Sequence, residues 1–327
     1  MVRIVGKRSA AVGQSMAATV LVVNHDPADR ALWKTLLEAR GYRVVTARNG
    51  RGALKEFARL RPDLVLLGVL LPGLDRFEVC RRLKTNAAAR LTPVVLVDSH
   101  TATGDPVCGL QAGADAVLSK GVCGSRLCAH VDLVLNLKAF VDRQAESVLL
   151  SLARSIEEKD PYTEGHCERL ADYAVRLGQR LGLSEESIHA LRIGGVVHDV
   201  GKVTVPNDIL LKPGRLARAE MKILREHPVV GERICAPLRS FRHVLPIIRH
   251  HHERMDGRGY PDGLRNGRIP LTARILQTVD IYDALTTNRP YRKAFSSEKA
   301  LAVMHKEAKR GWRDDALIKE FENLLAR

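Results

Sequence analysis

Short, fully apolar runs alternate with helical-period segments as far as residue 135, and nothing after residue 145 reads as an alternating strand of useful length. Val20-Leu21-Val22-Val23 stops at Asn24-His25-Asp26-Pro27. Val44-Val45, Leu64 to Leu67, Val94 to Val97 and Ala116-Val117-Leu118 come after it. Between these runs, Leu32, Leu36, Leu37 and Ala39 keep helical spacing up to Gly41, and Ala53, Leu54, Phe57 and Leu60 mark a second helix. A strand that is apolar on both faces must be covered on both, which is the condition of a parallel sheet between two helical layers. Residues 19–135 therefore read as a doubly wound, five-stranded α/β domain whose functional positions lie at the C-terminal strand ends.

The pattern then changes. Leu127, Val131, Val134, Leu135, Phe140, Val148, Leu152 and Ile156 hold helical spacing over more than one ordinary helix. Residues 136–160 read as a helical connector. One long helix able to pair with a second copy fits this spacing, as does the last helix of one domain followed by the first of the next, and both can hold at once. From Leu170 on the spacing stays helical, as in Ala174, Leu177, Leu181 and again in Ile188, Leu191, Val196. Residues 146–327 read as an all-α bundle with its site built from inward-facing side chains.

Composition narrows the function classes. A chain of 327 residues suits two domains and a connector, and 45% hydrophobic with 27% charged residues is globular rather than disordered. The net charge of +15 is spread along the chain without interleaved aromatics, so it reads as a solvated surface and no nucleic-acid partner is expected. The longest apolar stretch, Leu64 to Leu74, is broken by Gly68 and Pro72 and falls short of the ~20 residues of a membrane span. The six cysteines form no CxxC pair and read as reduced thiols, so a cytoplasmic location is expected. Residues 1–18 read as a flexible tail, with Met16 an alternative start.

Histidine carries the chemistry. His166, His198, His227, His251 and His252 each adjoin an apolar helical segment in the company of acidic residues and glycine. Asp199 follows His198 inside an apolar run ending at Gly201-Lys202. A buried His beside a buried Asp is costly unless both are satisfied, and a metal satisfies both. His250 competes with its neighbours for a ligand role, whereas His25, His100, His130, His189, His243 and His305 read as surface or hydrogen-bonded residues.

Several elements of the second half stand in a recognisable order: Asp160-Pro161-Tyr162-Thr163 with Gly165-His166; His198-Asp199-Val200-Gly201-Lys202; Lys212-Pro213-Gly214; Glu226-His227-Pro228 with Gly231; His251-His252-Glu253-Arg254. Asp256-Gly257-Arg258-Gly259-Tyr260-Pro261, Asp280-Ile281-Tyr282-Asp283-Ala284-Leu285 and Arg289-Pro290-Tyr291-Arg292 complete the series. In these motifs the chain resembles the HD superfamily of metal phosphohydrolases, and within it the HD-GYP branch. Met255 stands where that branch often has Trp.

The resemblance implies a phosphodiesterase that hydrolyses cyclic di-GMP in bacterial second-messenger signalling. It implies the metal ligands His166, His198, Asp199, His227, His251, His252 and Asp280, with Asp199 bridging two divalent ions. Five imidazoles and two carboxylates suit Fe or Mn. Asp199 and Lys202 are the implied catalytic residues, and Lys202, Arg289, Arg292 and Tyr260 the implied substrate contacts. Some trinuclear relatives have a Glu four residues before the first ligand His. Tyr162 stands there in this chain, which favours two metals and linear pGpG as product.

The first half resembles response-regulator receiver domains over about residues 19–135. The matching pieces are the first strand, Leu70-Leu71-Pro72-Gly73-Leu74-Asp75, and Gly113-Ala114-Asp115 leading to Lys120. Asn24 and His25 replace the acidic pair that holds Mg(II), and Gly68 replaces the phosphate-accepting Asp; the hydroxyl position is Asp98, with Ser99 next to it. No aspartyl phosphate is expected at Gly68. The domain reads as a pseudo-receiver used for regulation or contacts. The expected partners are cyclic di-GMP, a diguanylate cyclase domain protein and a second copy through the connector. Two other activities stay open at this stage: an HD phosphohydrolase acting on another nucleotide, and a non-catalytic cyclic di-GMP adaptor.

Overall fold

The computed structural model describes residues 18–68, 71–86, 89–98, 106–119, 124–157, 165–288 and 292–326. The tail, Met16, Ser99, Lys120, Tyr162 and Arg289 lie outside the described residues. The chain divides into two compact units, Met1–Lys138 and Ala139–Arg327.

In the first unit β1 (Thr19–Val23), β2 (Arg43–Ala47), β3 (Leu64–Leu67), β4 (Val94–Asp98) and β5 (Ala116–Ser119) form one parallel sheet in the order β2-β1-β3-β4-β5. Val22 pairs with Leu66, and Val97 with Leu118. The helices α1 (Pro27–Glu38), α2 (Gly50–Leu60), α3 (Arg76–Thr85) and α4 (Pro106–Gln111) connect the strands. Because successive strand residues point to opposite faces, each apolar run feeds two cores. Leu21, Val23, Val65 and Leu67 meet Phe57 of α2 with Val79 and Leu83 of α3. Val20, Val22, Leu64 and Leu66 meet Trp33 and Leu37 of α1 with Leu127 and Val131. Asp26 starts α1 by accepting from the Ala28 N–H, with Pro27 in the first turn.

One detail of α1 departs from the spacing read in the sequence. Its buried face is Trp33 and Leu37, one turn apart, whereas Leu32 is 55% exposed. Counting aliphatics alone overlooked the indole, whose larger apolar area decides which side of the helix faces the sheet.

The helix α5 (Gly124–Glu157) runs for 34 residues; Leu127 and Val131 near its start belong to the core of the first unit, and Ala153 and Ile156 near its end to that of the second. The second unit continues with α6 (His166–Arg180), α7 (Glu185–Val197), α8 (Asn207–Leu210), α9 (Arg218–Leu224) and α10 (His227–Cys235). Then come α11 (Leu245–His250), α12 (Leu271–Thr286), α13 (Ser297–Lys309) and α14 (Asp315–Leu325). Leu170, Leu177, Leu191, Phe241, Ile247 and Phe321 are fully buried at its centre, each contributing about 1.5–3 kcal/mol of apolar transfer. No strand is found among the described residues of this unit; an isolated bridge, Asp256 to Arg265, closes the glycine-rich loop. Among the described residues no helix is long and apolar enough to cross a membrane.

Candidate metal centre

The centre is assembled from helix ends. His166 opens α6, His227 opens α10 ahead of Pro228, His198 and His251 sit where α7 and α11 end, and Asp280 lies within α12. Asp199 leads into a short 3₁₀ turn, Val200–Thr204, that packs on α10. Gly201 makes that packing possible, because a Cβ there would lie 2.0 Å from the His227 carbonyl oxygen.

All seven residues singled out as ligands come together, in two groups. Asp199, His227, His251 and His252 form one, and His166, His198 and Asp280 the other, with donor atoms in each within 4.8 Å of one another. Asp199 faces both groups. Its Oδ1 is 3.1 Å from His227 Nε2 and its Oδ2 is 3.2 Å from His198 Nε2. The Lys202 ammonium donates to Oδ2 at 2.5 Å.

The outer nitrogens show which atoms are available. His198 Nδ1 faces the Gly195 carbonyl at 3.1 Å, His227 Nδ1 the Leu224 carbonyl at 2.7 Å, and His251 Nδ1 the Ile248 carbonyl at 2.8 Å. A carbonyl only accepts, so each Nδ1 carries a proton, and Nε2 is the atom that each ring turns toward the centre. His166 Nδ1 is 2.7 Å from Asp283 Oδ2, and its Nε2 is 3.6 Å from Asp280 Oδ1. The consequence is a concentration of nitrogen and oxygen donor atoms on one point. Asp199 Oδ1 is buried and has no hydrogen-bond partner among the described residues, although His227 Nε2 lies 3.1 Å away. This donor set fits a pair of divalent cations.

Charge follows the same arrangement. Burial, then the neighbouring His251 and His227, pushes His252 well below the usual histidine value. Burial likewise lowers His251. Burial also opposes charge on His198, but the Asp199 carboxylate outweighs it and the value rises. Against its own burial, Asp199 is held well below the carboxylate range by Lys202 and His198. His252 therefore stays a neutral donor while Asp199 stays an anion.

The glycine-tyrosine-proline loop braces one side. The Tyr260 ring lies on His252, centroids 4.8 Å apart, with the Arg225 guanidinium 5.1 Å from the phenol ring centroid. A Cβ on Gly259 would meet the Arg254 amide nitrogen at 2.4 Å, so the loop could not close on residues 253–254 with another residue there. Glu253, fully buried, accepts from the Asp262 and Leu264 amides at 2.7 and 3.0 Å. A cavity of about 290 Å³ opens onto the centre, with Lys202, His252 and Asp280 on its polar side and Ile156, Leu210 and Ala284 on its apolar side.

Two expectations change. His250 does not join the centre; it lies with Glu253 and Asp262, where Arg249 already neutralises Asp262 through bonds of 2.7 and 2.8 Å. Arg292 is engaged elsewhere, donating to the Leu285 and Ala284 carbonyls at the end of α12 and covering the Phe295 ring. A guanidinium committed to the end of a helix does not reach out to a phosphate in this arrangement. Sequence reasoning also missed two tasks inside motifs it had singled out: Asp283 as the partner of His166, and Glu253 as the anchor of the loop. Asp283 had a usable signal, standing one helical turn after Asp280.

At the receiver end, Asn24 is buried after β1. Its Oδ1 accepts from the Asp26 amide and its carbonyl oxygen from Arg30. A Cβ at Gly68 would lie 2.8 Å from Asn24 Cγ, so the space of an acceptor side chain is filled.

Comparison with known proteins agrees with both halves. The HD domain family matches residues 151–317 and the response regulator receiver domain family residues 20–132. The cyclic di-GMP phosphodiesterase response regulator RpfG of Xanthomonas campestris pv. campestris is 35% identical over 277 residues, 77% of this chain and 72% of its own length. A probable cyclic di-GMP phosphodiesterase of Vibrio cholerae is 32% identical over 88% of this chain and 73% of its own. The 3'3'-cGAMP-specific phosphodiesterase 3 of the same organism is 39% identical over 50% of this chain and 35% of its own. With both domain matches in this order and the HD-GYP motifs around one centre, the chain belongs to the HD-domain family, in its HD-GYP branch, with a receiver domain in front.

Proposed function

We propose that the chain is a metal-dependent phosphodiesterase that opens cyclic di-GMP to linear pGpG, with two divalent ions, Fe or Mn, held by His166, His198, Asp199, His227, His251, His252 and Asp280. The observation that carries the reading is Asp199, whose two oxygens face separate ligand groups. When bound, the ions supply a nucleophile from water at neutral pH and withdraw charge from the phosphodiester. Lys202 brings its ammonium to the cavity wall, where it stabilises negative charge developing on the phosphate oxygens. The apolar wall of Ile156, Leu210 and Ala284 excludes water and strengthens that interaction. Tyr260 keeps the His252 ring in place, and Arg289 grips a substrate phosphate.

Substrate identity is supported by relatives of which the chain covers more than two thirds and whose names specify cyclic di-GMP. The receiver domain acts by contact, with a diguanylate cyclase domain protein or a second copy as partner. Leu133, Leu137 and Phe140, spaced four and three apart on α5 and each more than half exposed, support self-association along that helix. A cytoplasmic location follows from the nucleotide substrate.

The test is product analysis with protein purified and metal-loaded without oxygen, given cyclic di-GMP and, separately, 3'3'-cGAMP. Preferential conversion of cyclic di-GMP to pGpG is expected. Full conversion to GMP overturns the product, and preference for 3'3'-cGAMP overturns the substrate.

A further inference from the structure

One of the four histidine Nδ1 contacts at the centre differs from the others in kind. His198, His227 and His251 face main-chain carbonyls, which carry no net charge. His166 faces a carboxylate, Asp283, only 3% exposed, which also takes Arg169 Nε at 2.5 Å and Nη2 at 3.1 Å. Asp283 stands one turn after Asp280 on α12, and Arg169 one turn after His166 on α6. The two helices thus meet through a ligand and its holder on each side.

A carboxylate does two things for an imidazole that a carbonyl does not. It puts negative charge beside the ring, which raises electron density at Nε2 and makes it a stronger donor. Being buried and fixed by a guanidinium fork, it also sets the orientation of the ring. Arg169 is part of the device, since its Nε and Nη2 hold the two carboxylate oxygens in place beside the ring. We propose that Asp283, held by Arg169, is the positioning residue for His166, and that it sets the metal affinity of the His166–His198–Asp280 group separately from the other group. The inference rests on the two-metal reading above.

The test measures metal rather than turnover. Wild-type protein, Asp283→Asn, Asp283→Ala and Arg169→Lys are titrated with Mn(II) against a chelator without oxygen, and bound metal per chain is counted. Asparagine keeps an oxygen acceptor without the charge, so Asp283→Asn should fold as the wild type does, checked by melting of the metal-free protein. Expected is wild-type binding of two ions, with one site in Asp283→Asn weakened about 10- to 100-fold and the other unchanged. Asp283→Ala should lose the weakened site, and Arg169→Lys, which keeps a cation, should retain more affinity than Asp283→Asn. If wild type holds two ions and Asp283→Asn leaves both sites unchanged, or weakens both equally, the inference is overturned. Fewer than two ions on wild type overturns the two-metal reading itself, so the two failures are distinguishable.

Discussion

His227 Nε2 and His251 Nε2 face each other at 3.3 Å, while the Nδ1 of each ring is committed to a main-chain carbonyl. Asp199 Oδ1 lies beside them, buried and with no hydrogen-bond partner among the described residues, so three electron-rich atoms crowd one point. A cation at this point turns a repulsive contact into a stabilising one, so metal binding should be coupled to the stability of the second unit.

Metal removal is therefore predicted to lower the melting temperature. An ion at a hundred times its Kd adds about 2.7 kcal/mol per site, which is several degrees for a unit of this size. Calorimetry before and after exhaustive chelation, then after restoring Mn(II), checks this. An unchanged melting temperature would contradict the proposed ligation.

Glu253 should matter for fold and substrate handling without touching the metals. Its carboxylate holds two amides of the glycine-tyrosine-proline loop, and bonds to a charged acceptor contribute roughly 1.5–3 kcal/mol each. Glu253→Ala is expected to cost about 3 kcal/mol in urea unfolding and to raise KM while metal content stays at the wild-type value. Loss of metal in step with stability would show that the loop supports the ligands directly.

The two arginines of the Arg289-Pro290-Tyr291-Arg292 segment should separate. Arg292 donates to two carbonyls ending α12, so Arg292→Ala is expected to cost about 2 kcal/mol of stability with a small effect on kcat/KM. Arg289→Ala should instead lower kcat/KM about ten- to a hundredfold with stability unchanged. Parallel melting curves and steady-state kinetics decide between these assignments.

Restoring one residue should not revive the receiver. Gly68→Asp has to displace Asn24, whose Cγ stands 2.8 Å from where the new Cβ would be, and Asn24 and His25 supply no carboxylates to hold Mg(II). Intact mass after incubation with a small phosphodonor and Mg(II) should show no stoichiometric adduct. An adduct would show that the site retains phosphoryl chemistry.

The sequence disclosed what is local. Apolar runs such as Leu64 to Leu67 revealed strands covered on both faces, since period-two alternation was absent from them. His198-Asp199 inside an apolar run revealed the centre, because a buried polar pair demands a partner. What stayed hidden depends on contacts between distant segments. Asp283 reaches a histidine 117 residues earlier, and Arg292 reads as a phosphate grip until the end of α12 is seen to occupy it. Trp33 was hidden for another reason, as an aromatic among leucines whose area outweighs theirs.

The central claim is that Asp199 and His198 anchor a metal pair that hydrolyses a cyclic dinucleotide. The most direct measurement is the rate of cyclic di-GMP opening, together with bound metal per chain, in wild type and in the His198→Ala, Asp199→Ala double variant. Two ions and steady pGpG formation are expected in wild type, and loss of metal together with loss of turnover in the variant. Undiminished hydrolysis by the double variant would contradict that claim.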